Sequence, residues 1–167
     1  KLLTISDLSS IDVIRSIAET LSKIHKLPPP DGEVKNELDL LARAKSYLSL
    51  IDNKPLREKA LKFLPYINFD EGLIDKTLCH NDLLVANLIY SNDRALYALD
   101  WEYAAVRNPL FDLAVIIEGQ NFPEAHIDFL VSEYSALAKL RANVTLKDLM
   151  QQRQLCLYID ALWVAVK

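Results

Sequence analysis

Residues 78–118 read LCHNDLLVANLIYSNDRALYALDWEYAAVRNPLFDLAVIIE, and the rest of the chain takes its meaning from them. His80, Asp82 and Asn87 fall in the spacing H-x-D-L-x-x-x-N. The turn-forming residues Ser91, Asn92, Asp93 and Arg94 follow, and a short apolar run then delivers a second acid, Asp100. This is the spacing of a phosphoryl-transfer catalytic loop followed by a metal-binding aspartate. One carboxylate, Asp82, must face the attacking hydroxyl and accept its proton. An amide oxygen at the far end of the loop, that of Asn87, must reach a Mg²⁺ ion. A second carboxylate, Asp100, must hold the metal against the phosphates. Such catalysis is mostly positioning and electrostatics, so a few oxygen ligands on a rigid hairpin suffice. The bland alternatives are a loop or capping acid for Asp82 and a turn residue for Asn87.

The motif resembles the catalytic segment of the aminoglycoside phosphotransferase and choline kinase superfamily, small-molecule kinases with a protein-kinase-like fold. Asn81 follows His80 where protein kinases usually have Arg, and Asp100 is followed by Trp101, Glu102 and Tyr103 instead of Phe-Gly. Leu99-Asp100-Trp101-Glu102-Tyr103-Ala104 looks like the choline, ethanolamine and thiamine kinase branch, and Asn108-Pro109-Leu110-Phe111-Asp112-Leu113-Ala114 continues the match. The resemblance implies ATP as phosphoryl donor and Mg²⁺ as cofactor. It implies that Asp82 and His80 form the catalytic pair, with His80 bracing the loop and the backbone near Asp100. Asn87 and Asp100 are then the metal ligands.

There are three glycines, Gly32, Gly72 and Gly119, and none lies in a glycine-rich phosphate loop. No Val-Ala-x-Lys-like strand precedes the catalytic loop. In the family a smaller β-rich lobe that clamps ATP comes first, so residues 1–167 are expected to be a single domain equivalent to the C-terminal lobe. An apolar surface for docking the other lobe is expected, and with it a tendency to self-associate.

Composition fits one globular domain able to bury a core: 51% of the 167 residues are hydrophobic and 25% charged. The net charge is −4 with no basic run, which argues against nucleic acid as a partner. Cys79 and Cys156 make neither a disulfide framework nor a zinc site and read as buried apolar groups in a reducing, cytoplasmic compartment. No signal peptide or membrane span is evident; the apolar stretch 155–166 is interrupted by Asp160 and is too short.

The organisation reads as α+β and mainly helical around one β-hairpin. Leu8, Ile11, Ile14, Ile17, Ala18, Leu21 and Ile24 recur at helical spacing, with Ser6 or Ser9 as cap and Pro28-Pro29-Pro30 as stop. A second helix is expected over 33–50, and a short one from the Asn53/Pro55 punctuation to Leu64. Strands over 87–90 and 96–99 flank the turn and bring Asn87 and Asp100 to one end. Pro123 fits the first turn of a helix running to about Leu140, and Thr145 with Asp148 resembles a capping box for the last helix.

The acceptor site is expected near Glu102, Asp112 and Glu118, with Trp101, Tyr103 and Trp163 as aromatic walls. Such walls suit a cationic alcohol, since each cation–π contact is worth about 0.5–2 kcal/mol. Asp112 has an alternative as a structural acid bonding the catalytic loop. Trp163 has one as core packing on a stripe with Leu155, Ile159, Leu162 and Val166. His25 reads as a packed histidine and His126 as a surface residue. The leading function is ATP-dependent phosphorylation of choline, ethanolamine or thiamine. A sugar or aminoglycoside kinase, and an isolated lobe that binds without catalysis, are the alternatives.

Overall fold

Apolar residues three and four apart make the first helix, α1 (Ile11–Ile24), and bury Val13, Ile14, Ile17, Ala18, Leu21 and Ile24 along one face. The computed structural model of the chain describes residues 1–28, 39–69, 75–91, 95–138 and 146–167. Ser10, not Ser6 or Ser9, precedes α1; the latter two belong to a 3-10 turn, Ile5–Ser9. Asp7 closes that turn by accepting from the Thr4 amide and hydroxyl at 2.8 and 2.7 Å.

Helix α2 (Leu40–Leu50) starts where the Asp39 carboxylate accepts the Ala42 amide. The expected start at 33 lies outside the described residues, as do Pro29 and Pro30. Helix α3 (Lys54–Phe63) is capped in the same way by Asn53, whose side chain accepts from Leu56. Helix α3 ends at Phe63, one residue short of the expected Leu64, and Pro65 sits in the short 3-10 turn that follows, Leu64–Tyr66.

The sequence reading of one hairpin is incomplete. Two antiparallel pairs are present among the described residues. Strands β2 (Leu88–Tyr90) and β3 (Leu96–Ala98) form the expected hairpin, with Ile89 opposite Tyr97; Asn92, Asp93 and Arg94 of its turn lie outside the described residues. The N-terminal residues add to its edge, Leu3 donating to the Leu88 carbonyl and Tyr90 to that of Lys1. The unexpected pair joins β1 (Thr77–Cys79) to β4 (Ala105–Arg107), with Leu78 opposite Val106. It brackets the catalytic motif, fixing the backbone just before His80 against the segment just before Asn108.

Helix α4 (Leu110–Glu118) is buried from Leu110 to Ile117, as an apolar run without a polar face requires. Leu110, Leu113 and Ile116 join a core with α1, the hairpin and helix α5 (Ile127–Ala138). Phe111, Ala114 and Val115 join a second core with α2 and helix α6 (Leu146–Val166). Pro123 is not in the first turn of α5 but precedes a 3-10 turn, Glu124–His126. Helix α5 is described as far as Ala138, and Leu140 and Thr145 lie outside the described residues. The fold is thus α+β and mainly helical. Among the described residues no helix is long and apolar enough to cross a membrane.

Candidate active site

The loop that leaves β1 turns at Asn81, whose φ of 66° is a conformation asparagine tolerates better than most residues. Asp112, in the first turn of α4 and fully buried, secures this turn. Its carboxylate accepts the backbone amides of His80 at 2.8 Å and Asn81 at 2.7 Å, and the His25 Nε2 lies 3.0 Å away. Burial would raise this carboxyl, but the bond to His25, the charge there and the two loop amides outweigh it and hold it below the ordinary range. His25 is in turn bonded through Nδ1 to the Tyr134 hydroxyl at 2.7 Å.

His80 is wholly buried. Its Nε2 donates to the Leu99 carbonyl at 2.7 Å, which leaves Nδ1 to accept the Asp82 amide at 3.3 Å. The Trp101 ring packs on it with centroids 4.8 Å apart. His80 therefore ties the loop to the backbone next to Asp100 and touches no open surface.

Asp82 is half-buried and faces a cavity. Burial raises its carboxyl, and the carboxylates of Asp100 and Glu102 add to the rise, while the hydrogen bond from Asn87 opposes it. Asn87 donates from Nδ2 to the Asp82 carbonyl at 2.8 Å and to Oδ2 at 3.1 Å. Its own carbonyl accepts the Leu99 amide at 2.8 Å, so Asn87 and Asp100 leave the hairpin at the same end. Asp100 is exposed, with φ 60°. With Nδ2 committed to Asp82, Asn87 has Oδ1 left to offer an ion, and the Asp100 carboxylate is a second hard oxygen donor. That donor set suits Mg²⁺. A buried group of His25, Cys79 and Asp112 also brings ligand-type atoms within 4.8 Å of one another. The bonds already described close His25 and Asp112, and Cys79 Sγ donates to the Thr77 and Arg107 carbonyls at 3.5 and 3.6 Å, which makes the group a structural knot.

The cavity, about 490 Å³, has Asn81, Asp82, Glu102, Tyr103 and Trp163 among its lining residues. Glu102 and Tyr103 are exposed. Trp163 is 46% exposed, so it does not belong to the core, although Leu155, Ile159 and Leu162 on its helix do. Two expected acceptor groups are elsewhere. Asp112 lies beneath the loop with no surface to offer a ligand. Glu118 is half-buried in an ion pair with Arg153. Trp101 also does not line this cavity; its Nε1 donates to the Ala98 carbonyl and its ring covers His80. His126 is half-buried where surface was expected.

Sequence reasoning missed Arg43 and Tyr47 of α2 and Asp160 of α6, all on the cavity wall. Burial and the charges of Asp82 and Glu118 raise the Asp160 carboxyl, against a bond from Cys156. The interruption of an apolar run by Asp160, three residues before Trp163, was the one available signal. The Arg43 guanidinium lies 5.3 Å from the Tyr103 ring centre, and the Lys167 ammonium 3.4 Å from that of Trp163. Both rings already receive cations from the chain itself.

Residues 5–143 match the phosphotransferase enzyme family. The structure of choline kinase LicA from Streptococcus pneumoniae superposes on 95% of this chain and 56% of its own, with TM-score 0.71 and 25% identity. A structure of LicA in complex with AMP aligns with TM-score 0.70. Protein LicA of Haemophilus influenzae is 30% identical over 125 residues, which are 71% of this chain and 37% of that protein. An aminoglycoside phosphotransferase from Streptomyces rimosus shares the fold, with TM-score 0.64 at 17% identity over 96% of this chain and 64% of its own. The chain thus spans 37% of the length of the Haemophilus relative and 56% of the Streptococcus structure.

Proposed function

We propose, on the premise that this chain belongs to the phosphotransferase enzyme family, that it is the catalytic lobe of an ATP-dependent kinase acting on the hydroxyl of a small cationic alcohol: choline, ethanolamine or thiamine. The observation that carries this reading is the Asp82 carboxylate, locked by Asn87 and opening onto a cavity walled by acids and aromatic rings.

Asp82 orients the acceptor hydroxyl and takes its proton as the new oxygen–phosphorus bond forms and the bond from the γ-phosphorus to the leaving nucleoside diphosphate breaks. General-base groups of this kind contribute about 10²–10⁴-fold. His80 acts through the backbone, holding the Asp82 amide and the Leu99 carbonyl in one arrangement. Asn87 and Asp100 are the residues that would hold Mg²⁺, whose charge offsets that of the phosphates when it is bound. The AMP complex of the relative supports an adenine nucleotide as donor. For the acceptor, Glu102 and Asp160 supply negative charge, and Tyr103 and Trp163 supply rings that already attract Arg43 and Lys167. Two free, buried cysteines suit a reducing cytoplasmic setting.

Leu2, Tyr97 and Leu99 share the outer side of the hairpin, and each is more than 40% exposed. This apolar strip is where the remaining length of such a kinase would dock, and where isolated copies of these 167 residues would meet. ATP consumption by the protein as encoded, measured with choline, ethanolamine, thiamine and an aminoglycoside, tests the function. Turnover with a cationic alcohol, cut about 10²-fold or more by Asp82→Asn, is the expected result. Turnover with the aminoglycoside alone would move the acceptor class, and none with any would favour a binding lobe without catalysis.

A further inference from the structure

We infer that Gly119 and Gln120, the two residues after α4, form a socket that sets the position of Asp82, and that Gln120 is a positioning residue for the phosphoryl transfer proposed above. Gln120 is 3% exposed. Its Oε1 accepts the Val85 amide at 2.6 Å, and its Nε2 donates to the Leu83 carbonyl at 3.4 Å. One side-chain amide thus replaces a strand partner for the middle of the loop, serving the buried Leu83 carbonyl and the half-buried Val85 amide.

Gly119 completes the socket by its lack of a side chain. A Cβ there would stand 2.6 Å from Leu84 Cδ2 and 2.8 Å from the Val115 carbonyl oxygen. Its φ is −68°, so backbone conformation does not demand glycine, and the requirement is one of space. Leu83, Leu84 and Val85 are therefore all seated on two consecutive residues.

The placement matters because of what lies on the other side of Asp82. Asp112, at the start of α4, grips the amides of His80 and Asn81. The socket, just past the end of α4, grips the loop from Leu83 onward. Asp82 is the residue between the two grips, and one rigid buried helix sets the distance between them. Catalytic geometry of this kind is sensitive to displacements near 1 Å.

The test uses the protein as encoded. Gln120→Met keeps length and apolar bulk and removes both bonds. Its kcat should fall about tenfold or more, with KM for ATP and acceptor changed less than about twofold. Amide exchange at Val85 should accelerate while that of Leu21 in α1 stays as in the parent. Gln120→Glu keeps the acceptor for Val85 and loses the donor to Leu83, so its kcat should fall between the two and Val85 should stay protected. Gly119→Ala should lower kcat, and Leu84→Val added to it should recover part of the loss by making room. A folded Gln120→Met protein with parental kcat overturns the inference, whatever its melting temperature. If that variant does not fold, parental kcat in Gln120→Glu together with parental kcat in Gly119→Ala overturns it. An inactive parent would count against the kinase reading, while Val85 exchange would still decide whether Gln120 holds the loop.

Discussion

Asp112 gathers two backbone amides and an imidazole in an interior closed to water. Its carboxyl is held below the usual value of about 3.9, so the unfolded chain binds a proton at higher pH than the folded one does. The stability it contributes is complete above the unfolded value and drains away as pH falls through the folded one. The urea midpoint should drop steeply below about pH 4, and Asp112→Asn should be less stable at neutral pH with a shallower acid slope. Equal slopes for the two proteins would remove Asp112 as the source. At Asp82 the expectation is different in kind. Asp82→Asn keeps the shape that Asn87 needs, so folding should survive while turnover falls about 10²-fold or more. Near-parental turnover would sink the base assignment. That Asp82 and Asn87 share one loop was legible from spacing; the two bonds that Asn87 donates to Asp82 were not. The structural alternative weighed for Asp112, bonding the loop, is the one the structure shows, whereas its bond to His25, 87 positions earlier, and the pairing of Glu118 with Arg153, 35 positions later, were not legible.

Helices with a continuous apolar stripe were readable in the sequence, since the period of α1 is a local property. Strands β1 and β4 were not. Each is three residues long, too short for alternation to register, and Thr77 pairs with Arg107 far along the chain. The cavity wall was half-legible for the same reason: Glu102 and Tyr103 adjoin the motif, whereas Arg43, Tyr47 and Asp160 come from helices brought in by packing. The elements also differ in what holds them. Ile17 of α1 is fully buried, and Ile17→Ala should cost about 2–5 kcal/mol in chemical denaturation. Helix α3 buries no residue completely and leans on the Asn53 cap. Asn53→Ala should cost about 1 kcal/mol and show first as faster amide exchange within α3. Loss of protection in α1 at the same rate would mean that α3 is part of the cooperative core.

Because α4 gives one side to each of two cores, neither can empty without disturbing the other. Helix content and tryptophan emission, from Trp101 beside the loop and Trp163 in the cavity, should therefore report one coincident transition. On the function proposed above, the 167 residues would carry a catalytic floor, and their sequence holds no glycine-rich phosphate cover, so titration with Mg-ATP should show no micromolar affinity and negligible turnover. Micromolar binding with phosphorylation would show that these residues suffice by themselves. The same buried architecture has a use as a measuring device. Cys79, under the catalytic turn, is inaccessible, and Cys156, at the cavity wall, is 2% exposed. Burial raises both thiols, so little thiolate exists at neutral pH. A chromogenic disulfide reagent is thus shut out twice, by access and by chemistry, until the protein opens. The colour it yields becomes a clock with two hands, one timing exposure beneath the loop and the other timing the breathing of the cavity wall, and a small molecule that fills the cavity should slow the second hand.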